Sequence, residues 1–108
     1  MADSVGARQA LFVATSELRV SSAASDDLVN AFRHRAHLVD DHDGFEQMEV
    51  WRDQRDPGRL ILASWWTDRA AFVAYMRSDE HRRSHARAPV GEARPRPVAL
   101  TRYDVVSR

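Results

Sequence analysis

The order of strand and helix signals along the chain predicts an α+β fold of the ferredoxin-like type, β-α-β-β-α-β, built on one antiparallel sheet. Three observations support this prediction. Four β-prone segments alternate with helical segments, an Asp-Pro-Gly turn joins the middle two strands, and Ser78 divides the second helical segment in two. Because 108 residues bury one modest core, we expect a single domain over 1–108, with its core at about 10–106.

The first strand and the first helix occupy the N-terminal third of the chain. Leu11 to Leu18 is apolar and β-prone, which predicts a strand. A Ser/Ala stretch follows, in which Ser22 or Ser25 is placed to cap a helix with two aspartates in its first turn. We expect this helix to continue to about Val39.

The second strand follows a turn predicted over Asp40 to Gly44. Phe45 to Asp53 alternates between apolar and polar residues, as a half-buried strand does. The alternation places Met48 and Val50 on one side of the strand, and Phe45 and Trp51 on the other.

The third strand, Leu60 to Trp66, lies across the Asp-Pro-Gly turn, so the second and third strands are predicted to form an antiparallel hairpin. Two short helices follow. Thr67 is placed to cap the first, from about Asp68 to Met76, and Ser78 to cap the second, from about 79 to 87.

The last quarter of the chain is predicted to be a loop and a strand. Ala88 to Arg96 contains Pro89 and Pro95, which indicates a stiff loop rather than a regular element. Pro97 to Val106 then supplies the fourth strand.

The first and third strands are apolar on both faces, as Leu11 to Ala14 and Leu60 to Ala63 show. Two helices can cover only one face of a four-stranded sheet. The other face needs a second cover, and the sheet of another copy of the chain can supply it. We therefore expect a homodimer packed sheet against sheet.

Composition excludes several classes of function. Sixteen arginines balance sixteen acidic residues, so no electrostatic argument supports binding to nucleic acid or to an anionic membrane. The chain has no cysteine, which excludes disulfides, thiolate catalysis and iron-sulfur clusters. No long apolar segment or signal-peptide pattern is present, so we expect a cytoplasmic protein that binds a small molecule or another copy of itself.

The predicted first helix carries an unusual arginine. Leu28, Phe32 and Val39 form its buried stripe, and Arg35 falls inside that stripe. Either the stem of Arg35 lies along the core while its charge reaches water, or the guanidinium meets an anion in a pocket. His34 and His37 fall on the opposite, solvated side of the helix.

The segment from Trp65 to His85 carries the strongest functional signal. Consecutive strand residues face opposite sides, so one of Trp65 and Trp66 packs under the helices and the other enters the dimer interface. His81 and His85 stand four residues apart and share one helix face, but a metal site needs further ligands. Together with Tyr75, these residues place aromatic rings and imidazoles around one pocket for a small hydrophobic or aromatic ligand.

Several motifs resemble the antibiotic biosynthesis monooxygenase family. They are the run Phe32 to His37, Gly44-Phe45, and Trp65-Trp66 followed by Phe72, Tyr75, Ser78 and His85. The resemblance covers about Val13 to Ala88 and is strongest to the bacterial haem-degrading monooxygenases. It implies a dimeric α/β barrel.

Within the haem-degrading branch, the resemblance implies that His85 is the axial ligand of haem b iron and that Arg35 lies near the haem propionates. Trp66 and Phe72 would be further haem contacts. The chain departs from that branch at two positions: Tyr75 replaces a tryptophan that ruffles the haem, and Ser16 replaces an asparagine. Ser16 faces the same way as Phe12, so its hydroxyl is available to bound oxygen.

Two other interpretations stay open. In a cofactor-independent monooxygenase, an electron-rich phenol or anthrone is oxidised to a quinone, with His85 as the base and Ser16, Tyr75 and Trp66 orienting the rings. In the third, the protein is a non-catalytic dimer that binds a hydrophobic ligand.

Overall fold

The computed structural model describes residues 10–34, 39–86, 89 and 91–108, with the backbone alone for 84–86. Its order of elements confirms the predicted ferredoxin-like pattern with a divided second helix. A 3-10 turn at Ser22–Ala24 precedes the first α-helix, and a second 3-10 turn at Gly91–Ala93 lies within the predicted loop. The elements are β1 (Phe12–Arg19), α1 (Ser25–Arg33), β2 (Phe45–Arg52), β3 (Arg59–Trp66), α2 (Arg69–Met76), α3 (Asp79–Ala86) and β4 (Arg96–Asp104).

The four strands form one antiparallel sheet in the order β2-β3-β1-β4. β1 is central, and its Phe12 lies opposite Trp66 of β3 and Asp104 of β4. Directly opposed residues point to the same side of a sheet. The register therefore assigns every strand residue to one of two faces.

One face, here called the helix face, carries Phe12, Ala14 and Ser16 of β1 and lies under the helices. Phe12 contacts Phe72 of α2, with 5.4 Å between ring centroids. Ser16 faces the same way as Phe12, as predicted. The opposite face, here called the far face, carries Val13 together with Trp65 and Tyr103, which lie directly across from it.

An irregularity in β2 corrects the predicted position of Phe45. The register with β3 shifts between Phe45 and Gln47, so Glu46 is an extra residue in the strand. Phe45 therefore lies opposite Trp66 on the helix face, where the two rings are 5.4 Å apart, and not on the side of Trp51. Strict alternation fails here because a bulge moves one side chain to the other face.

The first helix is shorter and begins differently than expected. α1 ends at Arg33, and His34 already has non-helical backbone, so the prediction of a helix to about Val39 was wrong. Neither proposed serine caps α1. Ser25 is buried and donates its hydroxyl to the carbonyl of Pro57 at 2.6 Å, which ties α1 to the turn between β2 and β3.

Helix α2 is capped by Asp68 and not by Thr67. The Asp68 carboxylate accepts a hydrogen bond from the backbone N–H of Ala71 at 2.9 Å, while the Thr67 backbone N–H donates to the carbonyl of Gly44. The predicted cap of α3 is confirmed, because the Ser78 hydroxyl accepts from the backbone N–H of His81 at 3.1 Å.

Charged residues occupy one end of the far face. Glu17 accepts from Arg59 at 3.2 Å, and this hydrogen bond raises the pKa of the Arg59 guanidinium above its ordinary value. In the adjoining turn, the backbone N–H of Arg55 donates to Asp53 and lowers the pKa of that carboxyl. The far face is thus polar at this end and apolar at the end of Val13 and Trp65.

Within the described part of the chain, no helix has the length and apolar composition needed to cross a membrane.

Phe72 lies in the core and is 4% exposed, so Phe72→Ala is expected to lower the free energy of unfolding by about 3–5 kcal/mol. Urea denaturation measures this loss. Met76, on the same helix, is 38% exposed, and Met76→Ala should cost less than about 1 kcal/mol. Equal stability of Phe72→Ala and the unsubstituted protein would contradict the packing of α2 described here.

Candidate functional site

Trp66 is the centre of an aromatic cluster between the sheet and α2. It ends β3 and is 1% exposed. Its ring centroid lies 5.7 Å from that of Phe72 and 5.4 Å from that of Tyr75, and its indole Nε1 donates to the Ser64 hydroxyl at 2.9 Å. A buried tryptophan with its only donor satisfied is held in one orientation.

Tyr75 is held between two histidines. The ring of His42 lies 5.3 Å from it and the ring of His81 lies 5.2 Å from it, both nearly perpendicular to the tyrosine ring. Edge-to-face contacts of this kind favour one ring orientation. Tyr75 itself is only 9% exposed, so the phenol ring is enclosed by these neighbours and by Trp66.

His42 was not among the residues expected at the site. A turn positions it: its backbone N–H donates to the carbonyl of Val39 at 2.9 Å, and its carbonyl accepts from the N–H of Phe45 at 3.0 Å. Gly44 completes the turn with φ +81°. The run Asp40 to Gly44 signals a turn in the sequence, but the direction of the imidazole depends on contacts with β3 and α2.

A second part of the helix face is open. Ser16 lies opposite Leu62 on one side and Leu100 on the other, and these three residues are here called the strip. Ser16 is half-buried, whereas Leu100 is 46% exposed although it faces the helices. The strip therefore offers an apolar surface with one hydroxyl.

The strip and the aromatic cluster are separate along the sheet. Ser16 lies four positions after Phe12 on β1, which corresponds to about 13 Å. The pair of Ala14 and Ser64 lies between them. The structure thus brings Trp66, Phe72 and Tyr75 into one cluster and places Ser16 beyond it.

Two expected site residues have no described side chain. Arg35 lies outside the described residues. His85 lies in α3, one helical turn after His81, and its side chain is likewise outside them. His85 as a ligand of haem iron stays a prediction, and among the described residues no three potential metal ligands from His, Asp and Glu stand together.

Two clefts flank these features. One, of about 380 Å³, lies between α1 and β2 and is lined by Phe32, Met48 and Val50 among others. The other, of about 650 Å³, lies beside the His42 turn and the start of α2, with Asp41, Asp68 and Glu80 in its lining. Both have the volume of small-ligand pockets. The second adjoins the aromatic cluster through His42 and Ala71.

Comparison with known proteins gives one family and several similar structures. The family model described as antibiotic biosynthesis monooxygenase matches residues 11–87. No curated protein sequence matches the chain.

The similar structures share the fold at low sequence identity. The haem degrader MhuD from Mycobacterium tuberculosis, solved with two haems in its active site, has 24% identity and a TM-score of 0.76, over 90% of this chain and 97% of its own. A mutant of MhuD with two manganese protoporphyrin IX per active site has 23% identity and a TM-score of 0.77, over 90% and 96%. Rv0793 from the same organism has 20% identity and a TM-score of 0.68, over 90% and 96%.

Gly44→Ala is expected to destabilise the protein by at least about 2 kcal/mol, because the positive φ strains any other residue and the new Cβ would lie 2.4 Å from the Ala71 Cβ. Gly91→Ala is the matched control: Gly91 also has positive φ, but nothing lies within 4 Å of an added Cβ, so the cost should be about 1 kcal/mol. Thermal and urea unfolding compare them. Equal losses would show that the contact between Gly44 and α2 does not hold the His42 turn.

Proposed function

The chain belongs to the antibiotic biosynthesis monooxygenase family, and from this premise we propose that it is a monooxygenase that binds haem b on the helix face, with His85 as the axial ligand. The resemblance to haem degraders supports the choice of ligand. MhuD, which binds haem, matches this chain with a higher TM-score than Rv0793 does.

The exposure of Leu100 is the single observation that carries the proposal. Leu100 belongs to the edge strand β4, whose residues are all exposed, and on the helix side it is 46% exposed beside half-buried Ser16. A flat, largely apolar ligand lying on the strip would bury it, at about 25 cal/mol for each Å² of apolar surface. An apolar surface of this kind, with one hydroxyl, is compatible with a porphyrin plane.

Each residue then has a proposed role. His81 contacts Tyr75, so α3 begins beside the aromatic cluster. His85 follows His81 by one turn of the same helix. Trp66 and Phe72 are almost fully buried, so they would support the site from the core instead of touching the ligand as the resemblance implies. Arg35 would meet the acidic groups of the ligand, and the Ser16 hydroxyl would donate a hydrogen bond to a bound oxygen atom.

Haem supplies activation of dioxygen when it is bound. The chain itself would contribute exclusion of water, a fixed aromatic wall and the hydrogen bond from Ser16. Tyr75 is held by His42 and His81, so its ring is less free than an exposed ring to press on the plane of a ligand.

That same enclosure of Tyr75 favours a second candidate, the cofactor-independent monooxygenase. There, dioxygen is the oxidant and a deprotonated phenol or anthrone is the reductant; one oxygen atom becomes the new quinone carbonyl and the other leaves as water. His85 would take the phenolic proton, and Ser16 would stabilise the developing oxyanion. The strip would hold the rings.

His85→Ala is expected to abolish the Soret shift that haemin gives with the unsubstituted protein, because the axial nitrogen is lost. His81→Ala is the control, since it removes an imidazole from the same helix that contacts Tyr75 instead. Titration followed at the Soret band gives both affinities.

Loss of binding in His81→Ala with retention in His85→Ala would reassign the ligand, and absence of any shift in the unsubstituted protein would exclude the haem proposal. Oxygen uptake with an anthrone or a dihydroxynaphthalene would then support the second candidate. No uptake would leave a non-catalytic binding protein.

We further propose that the protein is a homodimer packed through the far face. Trp51 is 43% exposed there and contacts Trp65 at 6.1 Å between ring centroids, and Tyr103 on β4 is 46% exposed. Large aromatic side chains at this exposure on one sheet face are typical of a surface that another protein covers. The sheet of a second copy has the matching shape and the same aromatic residues.

Tyr103→Glu is expected to dissociate this dimer, because it would bury a charge opposite an apolar surface. Met76→Glu, which places a charge at an exposed apolar residue of α2, should leave the dimer intact. Sedimentation velocity distinguishes the two states. A monomeric unsubstituted protein, or a dimer that survives Tyr103→Glu, would contradict the proposed interface.

A further inference from the structure

Arg102 stands beside the strip, on the same face of the sheet. It lies opposite Ala14 on β1, while Leu100, two residues earlier on β4, lies opposite Ser16. Residues two apart on a strand share a face and are about 7 Å apart. The Arg102 backbone therefore adjoins the strip, and its long side chain can extend to the edge of a ligand there.

The arginine is also held in place. Its guanidinium carbon lies 5.8 Å from the centroid of the Phe72 ring, in cation-π geometry. Phe72 is buried and fixed by contacts with Phe12 and Trp66. The charged group is thus positioned by the core, although Arg102 itself is exposed.

Arg102 differs in its partners from the arginines of β1, β2 and β3. Arg19, Arg52 and Arg59 each form an ion pair with a carboxylate. Among the residues that the structure describes, no carboxylate forms an ion pair with Arg102. This includes Asp104, which lies two residues away on the same face of the sheet. Its hydrogen-bond donors are available to a ligand on this side.

We propose that Arg102 is a specificity-determining residue that selects ligands carrying a carboxylate on a flat apolar ring system. The rings would lie on Leu100 and Ser16, and the carboxylate would accept hydrogen bonds from the Arg102 guanidinium. The inference rests on the proposed function, because it uses the same strip, but it names the class of ligand independently of haem.

Two ligand sources share this chemistry: the propionates of haem and the carboxyl group of a smaller aromatic acid. Matched pairs of probes separate them. Haemin and its dimethyl ester differ only in free carboxylates, and so do anthracene-2-carboxylate and its methyl ester. Absorbance measures the first pair and fluorescence the second.

The unsubstituted protein is expected to bind at least one acid about ten-fold more tightly than its ester, as a hydrogen bond to a charged group implies. Arg102→Gln should remove this preference, and Arg102→Lys should keep part of it because the charge remains. The preference should also fall as salt is added. Arg69→Gln, at an exposed arginine of α2, is the control and should change neither affinity.

The outcomes separate a binding role from a structural one. If Arg102 only covers Phe72, Arg102→Gln will weaken acid and ester by the same factor, and the inference is overturned. Equal affinity of the unsubstituted protein for acid and ester overturns it as well. If none of the four probes binds, both the ligand site on the strip and the role of Arg102 are contradicted. If the probes bind without a preference for the acids, only the role of Arg102 is contradicted.

Discussion

The packing of Trp66 is the constraint on which the rest of the structure depends. It is the last residue of β3, lies in register with Phe12 and Phe45 on the neighbouring strands, and touches Phe72 and Tyr75 of α2. One buried side chain thus fixes three strands against one helix, and its bond to Ser64 leaves it a single orientation. Dense packing of this kind transmits any change in volume to all its neighbours. The position of α2, and of α3 after it, follows from this contact.

That packing divides the helix face into two parts with different properties. Near Trp66 the space is filled by side chains, and the aromatic rings there serve as a wall. Farther along β1, beyond Ala14, the helices leave Leu100 exposed and Ser16 half-covered. A rigid wall beside an open apolar surface suits a ligand that must be held flat, because the binding free energy is not spent on ordering the protein. A chain of 108 residues therefore combines a densely packed core with an open apolar surface, which is the proposed ligand site.

The sequence predicted the parts of this arrangement that depend on local signals, and it failed where tertiary contacts decide. The order of elements, the hairpin and the Ser78 cap follow from apolar periodicity, turn residues and capping chemistry, and all are confirmed. The sequence did not predict which face of the sheet Phe45 occupies, because a bulge at Glu46 breaks the alternation. Thr67 was the predicted cap of α2, but the Asp68 carboxylate accepts the capping hydrogen bond instead, and the Thr67 backbone N–H is bonded to Gly44. The sequence did not indicate His42 as a site residue for the same reason: its position beside Tyr75 is set by a turn packed on α2.

The two departures from the haem-degrading pattern, Ser16 and Tyr75, lie in different parts of the helix face. In the proposed function, the first would affect contact with the ligand and the second would affect the chemistry. Ser16 belongs to the open strip, so a shorter side chain than asparagine changes the reach of a hydrogen bond without closing the ligand surface. Tyr75 belongs to the filled cluster, where His42 and His81 restrain it from two sides. Distortion of a bound ring system needs a side chain that presses on it, and an enclosed phenol cannot do so without breaking those contacts. In the proposed function, ligand binding would therefore depend on the strip and α3, whereas the kind of oxidation would depend on how firmly Tyr75 is held.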